Sequence, residues 1–414
     1  MTQTLAIDFG TSNTAAAVMR DGVRKLIELE PGQTTFPTAI FLDFATRTTL
    51  FGTAAVQALI DGREGRFMRA LKSVLGTPLM HEPRQLMNRR MTLIDVIAMI
   101  LAEVKTRSEA ACGCRFDHAL SGRPVHFHTK DAARDARALA DLTACYLAAG
   151  FQSVEFLAEP EAAALAHGDT SGKPGLIVDI GGGTSDFTVF EGTAGRQKVL
   201  ASYGVRVGGT DFDKTLSLAH VMPLIGKDAL LRAEIGPSTH TAPVALFNEL
   251  ASWEKIAFLY TGESRRKVAH MARFAVEKGR FSRLVDVLEM ELGHDIAFCV
   301  EAGKIGANGA GGGRINLGVI EKGLDSWIAP ADLLSDLGHY AAELRTAALE
   351  TVQRANLSVD DIGTVVFVGG SSLMNVVRQT MAAVFPAADL AYSNAFTAVV
   401  DGLAIAAANQ SEDR

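Results

Sequence analysis

A strand, an aspartate, a glycine-bearing turn and a second strand follow one another twice in this chain. The first copy, LAIDFGTSNTAAAVM, alternates as a strand from Leu5 to Asp8, turns through Gly10 to Asn13 and returns as a strand from Thr14 to Met19. The second, LIVDIGGGTSDFTVFEG from Leu176, repeats that order and sets Asp179 at the position of Asp8. An internal duplication of this kind implies two related halves, each opened by the same hairpin.

A hairpin that turns its backbone N–H groups onto a phosphate needs glycine at the turn, because a Cβ blocks close approach and many turn positions require positive φ. Gly10 and the run Gly181, Gly182, Gly183 meet that need. Each turn is flanked by a carboxylate at a strand end, Asp8 or Asp179, and by hydroxyls, Thr11, Ser12 and Thr184. Two such turns facing each other can clasp a magnesium-bound polyphosphate, with Asp8 and Asp179 holding the metal mainly through water. Asp186, two residues after Thr184, projects from the same face of the second strand. One glycine-rich turn alone is as often a plain tight loop; two copies with matched aspartates favour the phosphate reading. Neither copy is followed by G-K-[ST], and neither is a G-x-G-x-x-G opening a dinucleotide-binding helix, so those two nucleotide folds are disfavoured.

With 414 residues, 48% of them hydrophobic, the chain can bury enough core for two or three domains or lobes. A formal charge of -7 leaves no excess of Lys and Arg for a phosphate backbone, which argues against a nucleic-acid partner. The start, MTQTLAIDFG, has no basic region leading into an apolar stretch, and no apolar run is long enough for a bilayer. The expectation is a cytoplasmic protein without a membrane segment. Four cysteines in a chain this long make no disulfide framework, and Cys112 with Cys114 lacks the second ligand pair that a soft-metal site needs.

Between the two copies the pattern predicts a strand TAIFL from Thr38, a helix from Leu93 to Arg107, an apolar strand near Val125 and a helix from about Asp131 to Ala149. His126 and His128 alternate along that strand and read as one face of a surface strand. After Asp213 the chain reads largely as helix up to about Ile305, and the run from Gly306 to Arg314 as a turn between helix and strand. TVVFVGGSSLM is a buried strand running into Gly369 and Gly370, a helix follows through Val376 to Val384, and AVVDGLAIAAA is a closing small-residue helix.

Taken together, AIDFGTSNT, IVDIGGGTSDF, FLAEPEAAALAHG, GGTDFD and VFVGGSS resemble the nucleotide-binding domain of the seventy-kilodalton heat-shock (DnaK-type) chaperones over nearly the whole chain. The resemblance implies an α/β protein of the actin, hexokinase and heat-shock ATPase fold, with two lobes, each on a ribonuclease-H-like mixed sheet, and a cleft between them. Lobe I would comprise residues 1–172 and 390–414, with an inserted subdomain at about 33–115. Lobe II would comprise 173–389, with an inserted, mostly helical subdomain at about 213–335.

Site residues carry over by motif. The phosphate loops fall on Asp8, Gly10, Thr11, Ser12 and Asn13, and on Asp179, Gly181, Gly182, Gly183, Thr184 and Asp186. ALKSVLG resembles the family's A-I-K-R-L-I-G, which makes Lys72 the lysine that reaches the γ-phosphate and the attacking water. The E-P-x-A-A-A-L-A pattern makes Glu159 the carboxylate that orders metal and water, where the residues alone would allow a simple N-terminal helix acid. VGGTDFD places Gly208 and Gly209 near the phosphates, and VEAGKIGAN places Glu301 and Lys304 over the ribose and base, although by spacing alone that pair reads as a solvated helix surface. Gly369, Gly370 and Ser371 match the adenosine loop, with Leu373 where the family carries an arginine that packs on the base. Pro124 matches the family's coupling proline, while the arginine answering it is either Arg134 or Arg137.

The implied activity is slow, magnesium-dependent hydrolysis of ATP to ADP and phosphate, acting through nucleotide-dependent lobe closure on a protein partner, as a monomer or weak oligomer. The family's apolar linker and peptide-binding domain are expected to be missing, and in length the chain is most similar to the truncated YegD-like subgroup. Two other functions use the same fold: phosphoryl transfer to a small molecule such as a sugar, and ATP-controlled assembly of an actin-like filament or scaffold.

Overall fold

The computed structural model describes residues 4–412 apart from 21, 88, 129–130, 168–171, 194–195, 257 and 393–396. The chain divides into two compact units, one of residues 1–208 with 343–414 and one of residues 209–342.

The first unit contains two large sheets with the same plan. In the first, Thr4–Phe9 pairs antiparallel with Asn13–Arg20, which pairs antiparallel with Val23–Leu26 and also with Thr35–Pro37. On its other side Thr4–Phe9 pairs parallel with His118–Arg123, and that strand pairs parallel with Ser153–Ala158. In the second sheet Gly175–Ile180, Ser185–Thr193 and Arg196–Val205 form the antiparallel meander, and Thr364–Val368 and Asp389–Tyr392 add in parallel. Duplication therefore extends from the hairpin motif to a whole mixed sheet, an antiparallel meander of three strands extended by two parallel strands, the ribonuclease-H-like unit of the actin and heat-shock ATPase fold.

Two small-residue helices, Glu159–His167 and Ala398–Glu412, lie between the sheets. Their shared core takes Ala6, Ala15, Ala17 and Leu120 from the first sheet and Ile177, Phe190, Val366 and Val368 from the second. The helices cross so closely that a Cβ on Gly402 would lie 1.6 Å from the carbonyl oxygen of Ala162. On its other face the first sheet carries the helices Leu93–Cys112 and Ala132–Ala148. The former begins at a reciprocal cap between Thr92 and Asp95 and ends at Gly113 in the left-handed conformation, the latter begins at an Asp131 side-chain cap.

The strand expected near Val125 ends earlier, at Arg123. Pro124 has no N–H to continue the ladder, so residues 124–128 run as an irregular segment. His126 and His128 thus share no strand face: His126 is exposed and His128 is buried.

The second unit is mainly helical, with Gly262–Phe274, Lys278–Glu289 and Gly293–Ala307 as its longest complete helices. Its helical run is interrupted by a hairpin of Leu230–Arg232 with Thr239–Thr241, whose connection holds Gly236 at φ +88° and then Pro237, both unsuited to a helix interior. The glycine-rich run 306–314 leads from the helix Gly293–Ala307 to the strand Gly313–Asn316. Among the described residues no helix is long and apolar enough to cross a membrane.

Candidate functional site

Both hairpin turns close in the same way. The Gly10 N–H donates to the carbonyl of Asn13 and the Gly181 N–H to that of Thr184, each at 3.0 Å. Gly10 is required by sterics, since a Cβ there would sit 2.3 Å from the Asn13 carbonyl oxygen. The turns also meet: a Cβ on Gly182 would lie 2.8 Å from Ser12 Oγ and 3.4 Å from Thr11 Cβ. Residues 181–184, like Thr11 and Ser12, remain partly exposed and open to a ligand.

Two further loops close on the second turn. Gly208 packs against the backbone of Gly182 and Gly183, where any Cβ would come within 2.6 Å, and Ser185 Oγ holds this loop by donating to the Val207 carbonyl at 2.7 Å. Gly369, at φ +79°, abuts Asp179, whose Oδ1 would be 2.8 Å from an added Cβ. Ser372 braces that loop through its Oγ to the Gly369 carbonyl, and Gly370 and Ser371 follow at its exposed rim.

Lys72 sits on a single 3-10 turn, Leu71–Val74, entered through Ala70 at φ +59°. The turn is anchored beyond its end: the Leu75 carbonyl accepts from His128 Nε2 at 2.8 Å, and the Gly76 N–H donates to Asp141 Oδ2 at 2.9 Å. Lys72 Nζ lies 2.5 Å from Oε1 of Glu159, with the two side chains 8% and 13% exposed. Glu159 opens its helix at the end of the strand Ser153–Ala158 and leans over Gly122, where a Cβ would be 3.1 Å from its Cγ.

Asp179 and Asp186 face each other across the second hairpin as ladder partners, whereas Asp8 faces Ala15 in the first. The duplicated site is therefore asymmetric, with the extra carboxylate on one side only. Burial, reinforced by Glu159 and opposed by Lys72, pushes Asp8 up to about 7. Burial also raises Asp179 well above the ordinary carboxylate range, with Glu159, Asp186 and Asp8 adding to it. Asp186 rises to about 8, again chiefly from burial and then Glu159, against a hydrogen bond from the Val125 N–H and the charges of Lys72 and Arg123. For Lys72, burial works against the ammonium, but Glu159, Asp8 and Asp179 together outweigh it and raise its pKa.

Four carboxylates around one ammonium leave the cluster short of positive charge, and Asp186 Oδ1 is buried with no hydrogen-bond partner among the described residues. Surplus oxygen donors suit a hard divalent cation such as magnesium. Among the described residues no three His, Cys, Asp or Glu side chains are set to hold a metal together.

Asp8, Lys72, Glu159, Asp179, Asp186, both turns, Gly208 and the 369–371 loop thus come together within the first unit. Gly209, Glu301 and Lys304 belong to the second unit. There Lys304 is no solvated surface charge: its Nζ pairs with Asp213 Oδ1 at 2.8 Å, each side chain only 8% exposed. Sequence reasoning missed the residues that make room for the carboxylates, Gly122 beneath Glu159 and Gly204, where a Cβ would lie 2.5 Å from Asp186 Oδ1. A glycine inside a strand is the signal that could have found both.

The family model described as "Hsp70 protein" matches residues 4–231. Proteins named "Chaperone protein DnaK" are similar to this chain: that of Endomicrobium trichonymphae is 34% identical over 227 residues, covering 52% of this chain and 34% of the relative. That of Metamycoplasma hominis is 25% identical over 387 residues, 92% of this chain and 54% of the relative. That of Thermoplasma acidophilum is 32% identical over 226 residues, 52% of this chain and 35% of the relative. This chain accordingly spans between a third and just over half the length of those relatives. A family match that takes in more than half of the residues, including both hairpins, Lys72 and Glu159, means that the chain belongs to the Hsp70 family.

Proposed function

We propose that the chain binds ATP with magnesium and hydrolyses it slowly to ADP and phosphate, changing lobe closure with nucleotide state and acting through that change on a protein partner. The observation that carries this reading is the meeting of both glycine turns beside the buried Lys72–Glu159 pair and the three aspartates. With the Gly10 and Gly181 N–H groups closing the turns, the backbone N–H groups and hydroxyls of residues 11–13 and 182–184 hold the polyphosphate. Magnesium, when bound, neutralises charge on the phosphate oxygens, with Asp8 and Asp179 holding its water shell.

Lys72, kept protonated and fixed by Glu159, places its ammonium against the charge that develops on the transferred phosphoryl group. Glu159 and Thr184 orient the attacking water. Its oxygen bonds to the terminal phosphorus, the bond from that phosphorus to the bridging oxygen breaks, and the proton passes to Asp186 in its ionised form, which its raised pKa makes a stronger base than an ordinary carboxylate. On the family pattern Gly208 and Gly209 are assigned to the phosphates, and the nucleoside contacts to Glu301, Lys304, Gly369, Gly370 and Ser371; lobe movement with nucleotide state presents the partner surface.

Incubation with γ-labelled ATP and a panel of sugars and small alcohols tests the reading. Label recovered as inorganic phosphate, at a rate no additive accelerates, supports hydrolysis. Label recovered in a sugar phosphate would replace it with a kinase.

A further inference from the structure

The 124–128 segment links parts that the proposed hydrolysis requires in register. Arg123 shapes it by donating from Nη1 to the carbonyls of Pro124 and Val125, and the Val125 N–H reaches Asp186. At its far end His128 is 8% exposed and uses both ring nitrogens. Nε2 lies 2.8 Å from the Leu75 carbonyl, which can only accept, and Nδ1 lies 3.4 Å from Nη1 of Arg206, which can only donate. These partners fix one form of the ring, neutral with its proton on Nε2. Leu75 ends the Lys72 turn, and Arg206 lies between the strand Arg196–Val205 and Gly208, which packs against the second phosphate turn.

We propose that neutral His128 is a positioning residue, a strut that holds the Lys72 turn to the Arg206–Gly208 loop, and that protonation of Nδ1 releases it. A second ring proton would face the guanidinium of Arg206, breaking that contact and setting two cations together. The surrounding charges are Arg134 and Asp135 on the helix Ala132–Ala148, Arg206 after its strand, and His126 on the same segment, which shares Asp135 at 3.6 Å. Asp135 Oδ1 is occupied by the His128 N–H at 3.0 Å. Burial lowers the His128 pKa below its ordinary value, with Arg134 and Arg206 adding to the effect and the Leu75 hydrogen bond and Asp135 opposing it.

The proposal rests on the hydrolysis reading for its consequence but not for its geometry, so two readouts are taken together. Nitrogen-15 spectra of His128, with the Leu75 and Gly76 amides, are followed from pH 8 to 5, and turnover is measured over the same range for the wild type and His128→Gln. Gln keeps a donor for Leu75 and cannot titrate. Expected are an Nε2–H tautomer, amide shifts at Leu75 and Gly76 that share the His128 midpoint, and a wild-type rate that below this midpoint falls about tenfold per pH unit relative to that of His128→Gln, in which only the titration of the remaining groups, Asp186 among them, is left. An Nδ1–H tautomer, amides indifferent to the His128 midpoint, or a ratio of wild-type to His128→Gln rates that does not change with pH overturns the strut. Should no turnover occur at any pH, the hydrolysis reading fails and the spectra alone decide the strut.

Discussion

Asp186 shows how function and stability oppose each other at one residue. Its carboxyl is 1% exposed, held up to about 8 by burial, and leaves one oxygen without a partner among the described residues. Asp186→Asn removes the ionisable group and keeps the shape, so the ligand-free protein is expected to melt at the same temperature or higher, while phosphate release drops by more than about tenfold. Thermal melts and turnover on the same samples check this; a marked loss of stability would contradict the description of the cluster. His128 gives the pH dependence of stability. The unfolded chain binds a proton on this histidine below pH about 6.5, the folded chain resists it, and stability therefore falls as pH drops through that value, by at most about 1.4 kcal/mol per unit. Urea titrations at pH 7.5 and 5.5 should show a smaller loss for His128→Gln than for the wild type.

At the scale of elements the closest approach is that of the helices Glu159–His167 and Ala398–Glu412. Gly402→Ala would set a methyl 1.6 Å from a backbone carbonyl that cannot rotate away, so the helices must separate, and a destabilisation of about 1–3 kcal/mol or more is expected by denaturant titration. The hairpins were legible because alternation, a terminal aspartate and turn glycines all agree over a few residues. The helices from Leu93 and Asp131 were legible from their periodic runs, and the structure adds a side-chain cap at the start of each. The hairpin at 230–241 was not, since its strands are three residues long and too short to show a period. Nor was the fate of His128: alternation put it beside His126 on a strand, and only the ladder's end at Pro124 sends the two rings to different surroundings. The Lys304–Asp213 pair was hidden because its members lie far apart in sequence, and no local pattern reports such a contact.

For the molecule as a whole, the repeated sheet was implied by the repeated motif, while the asymmetry of the site, Asp186 against Ala15, depends on strand register. If nucleotide binds with magnesium, the folded state gains stability by mass action, about 2.7 kcal/mol at a hundredfold excess over the dissociation constant. ATP with magnesium should then raise the melting midpoint more than ATP with a chelator. Phosphate release by the purified protein, with and without magnesium and beside Lys72→Ala, is the measurement to make. Slow, magnesium-dependent release that falls by more than about tenfold in a still-folded Lys72→Ala variant is the expected result, since the ammonium paired with Glu159 is assigned the charge of the transition state. Release that is equal in both proteins, or absent from both, would contradict it.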